Sequence, residues 1–229
     1  MDSITRQQVR RLNLSPHAPL LICDVDEVVV RFIDTLDGWL AAQGLRLHAD
    51  SWALEGNIRR ADGTAIAGEA FLQLLERFFA ERTHAMPLLE GAAEALHGLA
   101  RKGAQVVLLS NIPHAHFQAR RRNLLGHGLD FPLLTNSGPK GPAVRALASM
   151  VRAPVAFMDD HPDFLHSAHE LLPGRVHLLH FVPDSPFTPH LPPLEAPHVV
   201  VRDWAEAGAV LERLLLRATH HHSLSGETP

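Results

Sequence analysis

Two carboxylates stand two residues apart, Asp24 and Asp26, at the end of the apolar run Leu20-Leu21-Ile22-Cys23. Carboxylates that converge at a strand end repel each other unless they share a cation or a proton. Three more polar clusters follow the same logic. Ser110-Asn111 ends the apolar run 105–109, Lys140 sits in Gly138-Pro139-Lys140-Gly141 before a helix, and Asp159-Asp160 ends the apolar run 154–158. Hard oxygen donors in this number suit Mg²⁺. A hydroxyl, backbone N–H groups and an ammonium suit a phosphate. One carboxylate can attack phosphorus to form an aspartyl-phosphate, and a second can protonate the leaving oxygen and then activate water. The set therefore points to phosphoryl transfer. Singly each cluster has a plainer reading. Ser110-Asn111 is a turn or cap, Lys140 a solvated lysine, and Asp159-Asp160 a pair serving a helix N-terminus.

The elements that must position these groups can be read from periodicity. The run at 20–25 is short, rich in branched residues and preceded by Pro19, as expected of a strand buried on both faces of a parallel sheet. Spacings of three and four predict a helix through Phe32, Ile33, Leu36, Trp39 and Leu40, closed by Gly44. A second helix is predicted over 69–82, with Phe71, Leu74, Leu75, Phe78 and Phe79 on one face. Between them, 45–67 has no clear period, and Asp62-Gly63 signals a turn or small hairpin. From Pro87 onward strands and helices alternate: helices over 92–102, 116–125, 142–151, 163–172 and 204–217, strands over 105–109, 131–134, 154–158, 175–181 and 198–201. Such alternation predicts an α/β fold with right-handed crossovers. In a parallel sheet all the strand ends above face one edge, where ligands bind.

The four clusters resemble, in order, the four motifs of the haloacid dehalogenase-like (HAD) hydrolase superfamily, phosphatase type. Motif I matches Asp24-Val25-Asp26, motif II Ser110, motif III Lys140 and motif IV Asp159-Asp160; the likeness covers roughly 18–32 and 86–217. It implies a Rossmann-like core at 18–32 and 86–217, with the motif I strand between those of motifs II and IV. It also implies a small, mainly helical cap at 33–85 and loosely ordered termini at 1–17 and 218–229. Asp24 is implied as nucleophile and Asp26 as general acid/base. Mg²⁺ would be held by Asp24, the Asp26 carbonyl and Asp160, with Asp159 supporting. Ser110, Asn111 and Lys140 would hold the phosphoryl group. Where many members have Gly-Thr after the second aspartate, this chain has Glu27-Val28. The second aspartate itself favours phosphate chemistry over dehalogenation. A cap this small implies a partly open site. Arg59 and Arg60 are candidate cap contacts, and Trp39, Trp52, Phe71 and Phe78 are the aromatics available for stacking a base. Asp163 is expected to cap the helix after motif IV, and His161 to face the substrate entrance.

A small phosphorylated metabolite is the expected partner, with a deoxyribonucleotide as one option on a thinner resemblance. Phosphotransfer, or a silent phosphate-binding module, are the alternatives. Composition excludes other classes. Of 229 residues 46% are hydrophobic, and net charge is −4 with histidine neutral, which gives no pull toward a nucleic acid polymer or a membrane. No apolar run approaches the roughly 20 residues that span a bilayer. Arginines 6, 10 and 11 precede no apolar stretch, so no secretory signal is expected. Cys23 is the only cysteine, which suits a reducing cytoplasm. A monomer or a homodimer fits equally. His220-His221-His222 is expected to be part of a disordered tail.

Overall fold

Leu20, Leu21, Ile22 and Cys23 form strand β1 (Leu20–Cys23), and all four are wholly buried. Side chains alternate across a strand, so such burial needs cover on both faces. The computed structural model, which describes residues 1–216, supplies it. Helix α1 (Ser3–Arg10) precedes β1. Then come α2 (Phe32–Ala41), β2 (Arg46–Leu47), β3 (Ile58–Arg59) and α3 (Gly68–Arg82). The remainder alternates: α4 (Ala92–Arg101), β4 (Gln105–Ser110), α5 (Phe117–Gly126), β5 (Leu133–Thr135), α6 (Gly141–Ala148), β6 (Val155–Asp159), α7 (Pro162–Leu171), β7 (His177–Phe181), β8 (Val199–Val201) and α8 (Trp204–Leu215).

Six strands pair in the order β5-β4-β1-β6-β7-β8, every pair parallel. Leu20 and Ile22 of β1 join Val107, Leu109, Val155 and Phe157 in one core layer, covered by Val9 of α1, Val144 and Leu147 of α6 and Leu165 of α7. Leu21 and Cys23 face the other layer with Val106, Leu108, Ala156 and Met158, under Leu96 of α4, Leu124 of α5 and Leu211 of α8. The motif I strand thus lies between the strands that end in Ser110 and Asp159, and all three ends share one edge.

Helices α2 and α3 pack on each other beside that edge. Phe32 and Trp39 of α2 pack on Phe78 of α3, with ring centroids 5.6 and 5.4 Å apart. The aperiodic stretch between them is a two-residue antiparallel ladder, Arg46 opposite Arg59 and Leu47 opposite Ile58. Buried Asn57 knits the rest of this stretch, donating to the carbonyls of Ser51 (2.9 Å) and Ala53 (2.7 Å).

The N-terminus departs from the expectation of a loose lead-in. Asp2 caps α1 through Thr5 N (2.9 Å). The buried Thr5 hydroxyl donates to the Thr135 carbonyl (2.8 Å), and Gln8 Oε1 accepts from Thr135 N (2.9 Å). These bonds occupy the open edge of β5, which an unpaired strand would otherwise expose. The anchor is polar and long-range, so hydrophobic periodicity carries no trace of it. The tail 218–229, with its three histidines, lies outside the described residues.

Candidate active site

Sheet pairing holds the first aspartate in place. Asp24 N donates to Met158 O (2.9 Å), which keeps Asp24 in register with β6 one residue past β1. The chain then folds back tightly. Val25 O accepts from Val29 N (2.8 Å) and Val30 N (2.9 Å), and Glu27 takes the left-handed conformation, φ +60°. From α8 the Trp204 indole donates to Val28 O (2.7 Å) and pins this turn to the core.

Asp24 is 5% exposed and Lys140 wholly buried. The Lys140 ammonium donates to Asp24 Oδ1 (2.5 Å) and Asp159 Oδ2 (2.7 Å). It also lies 4.8 Å from the centre of the Phe164 ring. Lys140 arrives there because α6 packs closely on α7. A Cβ on Gly141 would stand 2.1 Å from Ser167 O, a distance no side chain could keep. Carboxylate oxygens of Asp24, Asp159 and Asp160 lie within 4.8 Å of one another. Burial pushes the Asp24 carboxyl up to about 7, against the pull of Lys140 and with the push of Asp159 and Asp26. Burial and the charges of Asp24 and Asp159 likewise raise Asp160. Burial opposes the charge on Lys140, but Asp159 and Asp24 outweigh it and hold Lys140 above the ordinary lysine range. One ammonium thus faces three carboxylates in a dry setting, an excess of negative charge. His180, buried on β7, donates from Nε2 to Asp160 O (3.0 Å) and fixes that backbone.

Asp26 is held at both oxygens. Oδ1 accepts from the wholly buried guanidinium of Arg120, and Oδ2 from the Ser110 hydroxyl (3.0 Å). Ser110 is expected to face a phosphoryl group. Its hydroxyl instead bridges Asp26 and Ile112 N (3.1 Å), and Ser110 is wholly buried behind the cavity wall. Asn111 does reach the cavity. Its amide donates to Gly138 O (2.9 Å) and accepts from Asn136 (3.0 Å), tying the end of β4 to the loop that carries Lys140.

Above these groups opens a cavity of about 650 Å³. Asp24, Asp26, Glu27, Lys140 and Asp160 are among its lining residues. Trp52, Leu54, Phe71 and Phe79 line it too, joined by Phe187 and Leu191 from the proline-rich loop after β7. Trp52 stands edge-on to His161, 5.8 Å between centroids, so the stretch between β2 and β3 meets the start of α7 at the cavity. Of the aromatics considered for stacking, Trp39 and Phe78 are core, while Trp52 and Phe71 reach the cavity. Arg59 turns away to Asp50 (2.6 Å), and neither it nor Arg60 lines the cavity. Asp163 does not cap α7. Pro162 starts the helix one residue earlier, so His161 is the cap and its Nδ1 accepts from Asp163 N (3.3 Å). His161 lines the cavity as expected of an entrance residue, and burial lowers its imidazole below the ordinary range.

Comparison with solved structures decides the fold. A HAD family hydrolase from Deinococcus radiodurans R1, solved with bound phosphate and sodium, is 20% identical with a TM-score of 0.55, over 89% of this chain and 99% of its own. YfnB, a HAD hydrolase from Bacillus subtilis bound to magnesium, is 14% identical with a TM-score of 0.58, over 85% and 99%. A predicted phosphoglycolate phosphatase from Haemophilus somnus 129PT is 13% identical with a TM-score of 0.53, over 86% and 99%. The chain has the HAD hydrolase fold. No family model matches its sequence, and no curated protein does either.

Within this HAD fold, the roles of four residues escape a motif reading. Arg120 sits in the run Arg120-Arg121-Arg122 on the helix predicted over 116–125. Phe117, Arg120 and Leu124 are spaced three and four apart, the spacing of a buried stripe, and that was the available signal. Asn123 continues the network, accepting from Arg120 Nη1 (3.3 Å) and donating to Met86 O (2.8 Å). Glu27 stands where many HAD members have glycine, and its Oε2 accepts from Ile33 N (2.7 Å) at the start of α2. His180 has no sequence signal, since its role depends on the register of β7 against β6.

Proposed function

We propose that the chain is a Mg²⁺-dependent phosphatase that hydrolyses a small phosphomonoester through an aspartyl-phosphate. The pairing of Asp24 with the buried Lys140 at the cavity floor carries this reading. Lys140 engages Oδ1 and leaves Oδ2 to attack phosphorus. Attack forms the Oδ2–phosphorus bond and breaks the bond from phosphorus to the substrate's alcohol oxygen, which takes a proton from Asp26. The Asp26 carboxylate then accepts a proton from water as the water oxygen attacks phosphorus. The Asp24–phosphorus bond breaks and inorganic phosphate leaves. Arg120 and Ser110 orient Asp26 for both transfers. The ammonium of Lys140 offsets charge on the phosphoryl oxygens, and Asn111 braces the loop that carries it.

The donor set fits Mg²⁺: hard oxygens, crowded, with one ammonium against three carboxylates. Asp24, Asp160 and the Asp26 carbonyl would hold the ion, with Asp159 supporting through Lys140. When bound, the ion supplies positive charge to the phosphoryl oxygens. The bound phosphate of the Deinococcus neighbour and the magnesium of the Bacillus neighbour support the assignment. Segment 33–85 acts as the cap. A buried, unpaired Cys23, and no described helix long and apolar enough to cross a membrane, suit the cytoplasm.

Phosphate release from phenyl phosphate, with Mg²⁺ or with EDTA, tests the proposal in the wild type and Asp24→Asn. Release should require Mg²⁺ and fall at least a hundredfold in the variant. Undiminished release by Asp24→Asn overturns the nucleophile assignment. Transfer to an added alcohol in place of water would make the chain a phosphotransferase.

A further inference from the structure

The part of the cavity lining outside the carboxylate and lysine cluster has a chemistry of its own. Its wall is Trp52 and Leu54 from the loop between β2 and β3, Phe71 and Phe79 from α3, and Phe187 and Leu191 from the loop after β7. The polar groups of this wall are few, and each already makes one hydrogen bond. Glu55 Oε1 accepts from Gly68 N (2.6 Å), the Thr188 hydroxyl donates to Pro183 O (2.9 Å), and the Ser185 hydroxyl accepts from Phe187 N (3.3 Å). Lys140 is the one lysine or arginine among the lining residues, and it is committed to Asp24 and Asp159. A second phosphate or a carboxylate on the substrate would meet Glu27, Glu55 and Asp163 and no free cation. Sugar hydroxyls would give up water against a wall dominated by apolar side chains that offers them few polar partners. A cavity of about 650 Å³ has room for roughly twenty water-sized atoms, so the group beyond the phosphate is of moderate size.

We infer that the substrate is the phosphomonoester of an apolar, uncharged alcohol or phenol, its organic group seated between Trp52, α3 and the loop 183–191. This rests on the phosphatase reading and names its substrate class. The phosphoryl group lies against Asp24 and Lys140, and the apolar group displaces water from the aromatic wall.

The test measures kcat/KM with Mg²⁺ for ethyl, butyl and hexyl phosphate, phenyl and 1-naphthyl phosphate, and glucose 6-phosphate and dAMP. Calorimetry of ethylphosphonate and hexylphosphonate binding runs alongside. Each added methylene should raise kcat/KM about threefold to fourfold. Hexyl phosphate should exceed glucose 6-phosphate and dAMP at least a hundredfold. Leu54→Asp and Leu191→Asp should each cut the hexyl-to-ethyl ratio tenfold, a ratio that does not depend on the folded fraction. A flat chain-length series, or preference for glucose 6-phosphate or dAMP, overturns the substrate class and leaves the phosphatase reading standing. No release from any ester, with hexylphosphonate still bound more tightly than ethylphosphonate, overturns the phosphatase reading and with it the substrate, and leaves only the apolar seat as a binding site. Neither release nor chain-length-dependent binding overturns the seat as well.

Discussion

Glu27→Gln isolates one buried charge. Glu27 takes over the capping of α2 from Arg31, whose side chain makes no capping bond. That position costs the carboxylate its water. Burial, with the charges of Asp34 and Asp26, lifts its carboxyl from the ordinary 4.5 to about 7, despite the hydrogen bonds from Ile33 and Phe32. A raised carboxyl means the native state binds more protons than the unfolded chain between those two values. Stability is therefore fully present below about pH 4.5 and falls as pH rises to about 7. At about 1.4 kcal/mol per tenfold change in affinity, the loss is about 3 kcal/mol. Glutamine keeps an oxygen for Ile33 N and has nothing to ionise. Urea denaturation in EDTA should then show the variant gaining on the wild type by about 2 kcal/mol between pH 5 and pH 8. A gap that stays constant or narrows with pH would refute the reasoning, because Glu27 would then ionise as easily folded as unfolded.

Two more outcomes follow from the same electrostatics. Arg120→Met strands a half-buried carboxylate and should cost about 3 kcal/mol in urea and at least tenfold in kcat/KM; adding Asp26→Asn should restore at least about 1 kcal/mol, since the two residues act as a pair. Asp160→Asn removes one of three crowded carboxylates, so without metal it should be more stable than the wild type as pH rises. Mg²⁺ at a hundred times its Kd should stabilise the wild type by about 2.7 kcal/mol and the variant by much less, a reversal that thermal melts with and without Mg²⁺ will detect.

What could be read from the sequence was local. Leu20–Cys23 is apolar at every position, which only a strand covered on both faces requires, and it delivered both the sheet and the edge where Asp24, Ser110 and Asp159 end their strands. The faces of α2 and α3 were equally visible, since Leu36, Trp39, Phe71 and Phe78 recur at helical spacing and are all buried. What escaped was polar and distant. Ser110 has two sensible partners, a phosphate or a carboxylate, and only the position of Asp26 decides between them. Thr5 and Gln8 look like surface residues until β5 arrives to pair with them. Arg120 belongs to no motif, and charged residues are seldom buried, although its spacing from Phe117 and Leu124 is that of a buried stripe.

The order in which this molecule comes into being follows from the central place of β1. That strand leaves the ribosome before any partner in its sheet, with both edges unpaired, and such edges invite pairing with other chains. The groups that surround its two aspartates come much later: Arg120 lies 94 residues after Asp26, and Lys140 lies 116 after Asp24. Trp204, which clamps the turn, follows Val28 by 176 residues. A nascent chain halted before α8 would already contain every motif residue but not the indole that steadies the turn between them. Asp24, the proposed nucleophile, is thus synthesised well before the lysine that pairs with it and before the indole that steadies the turn beside it.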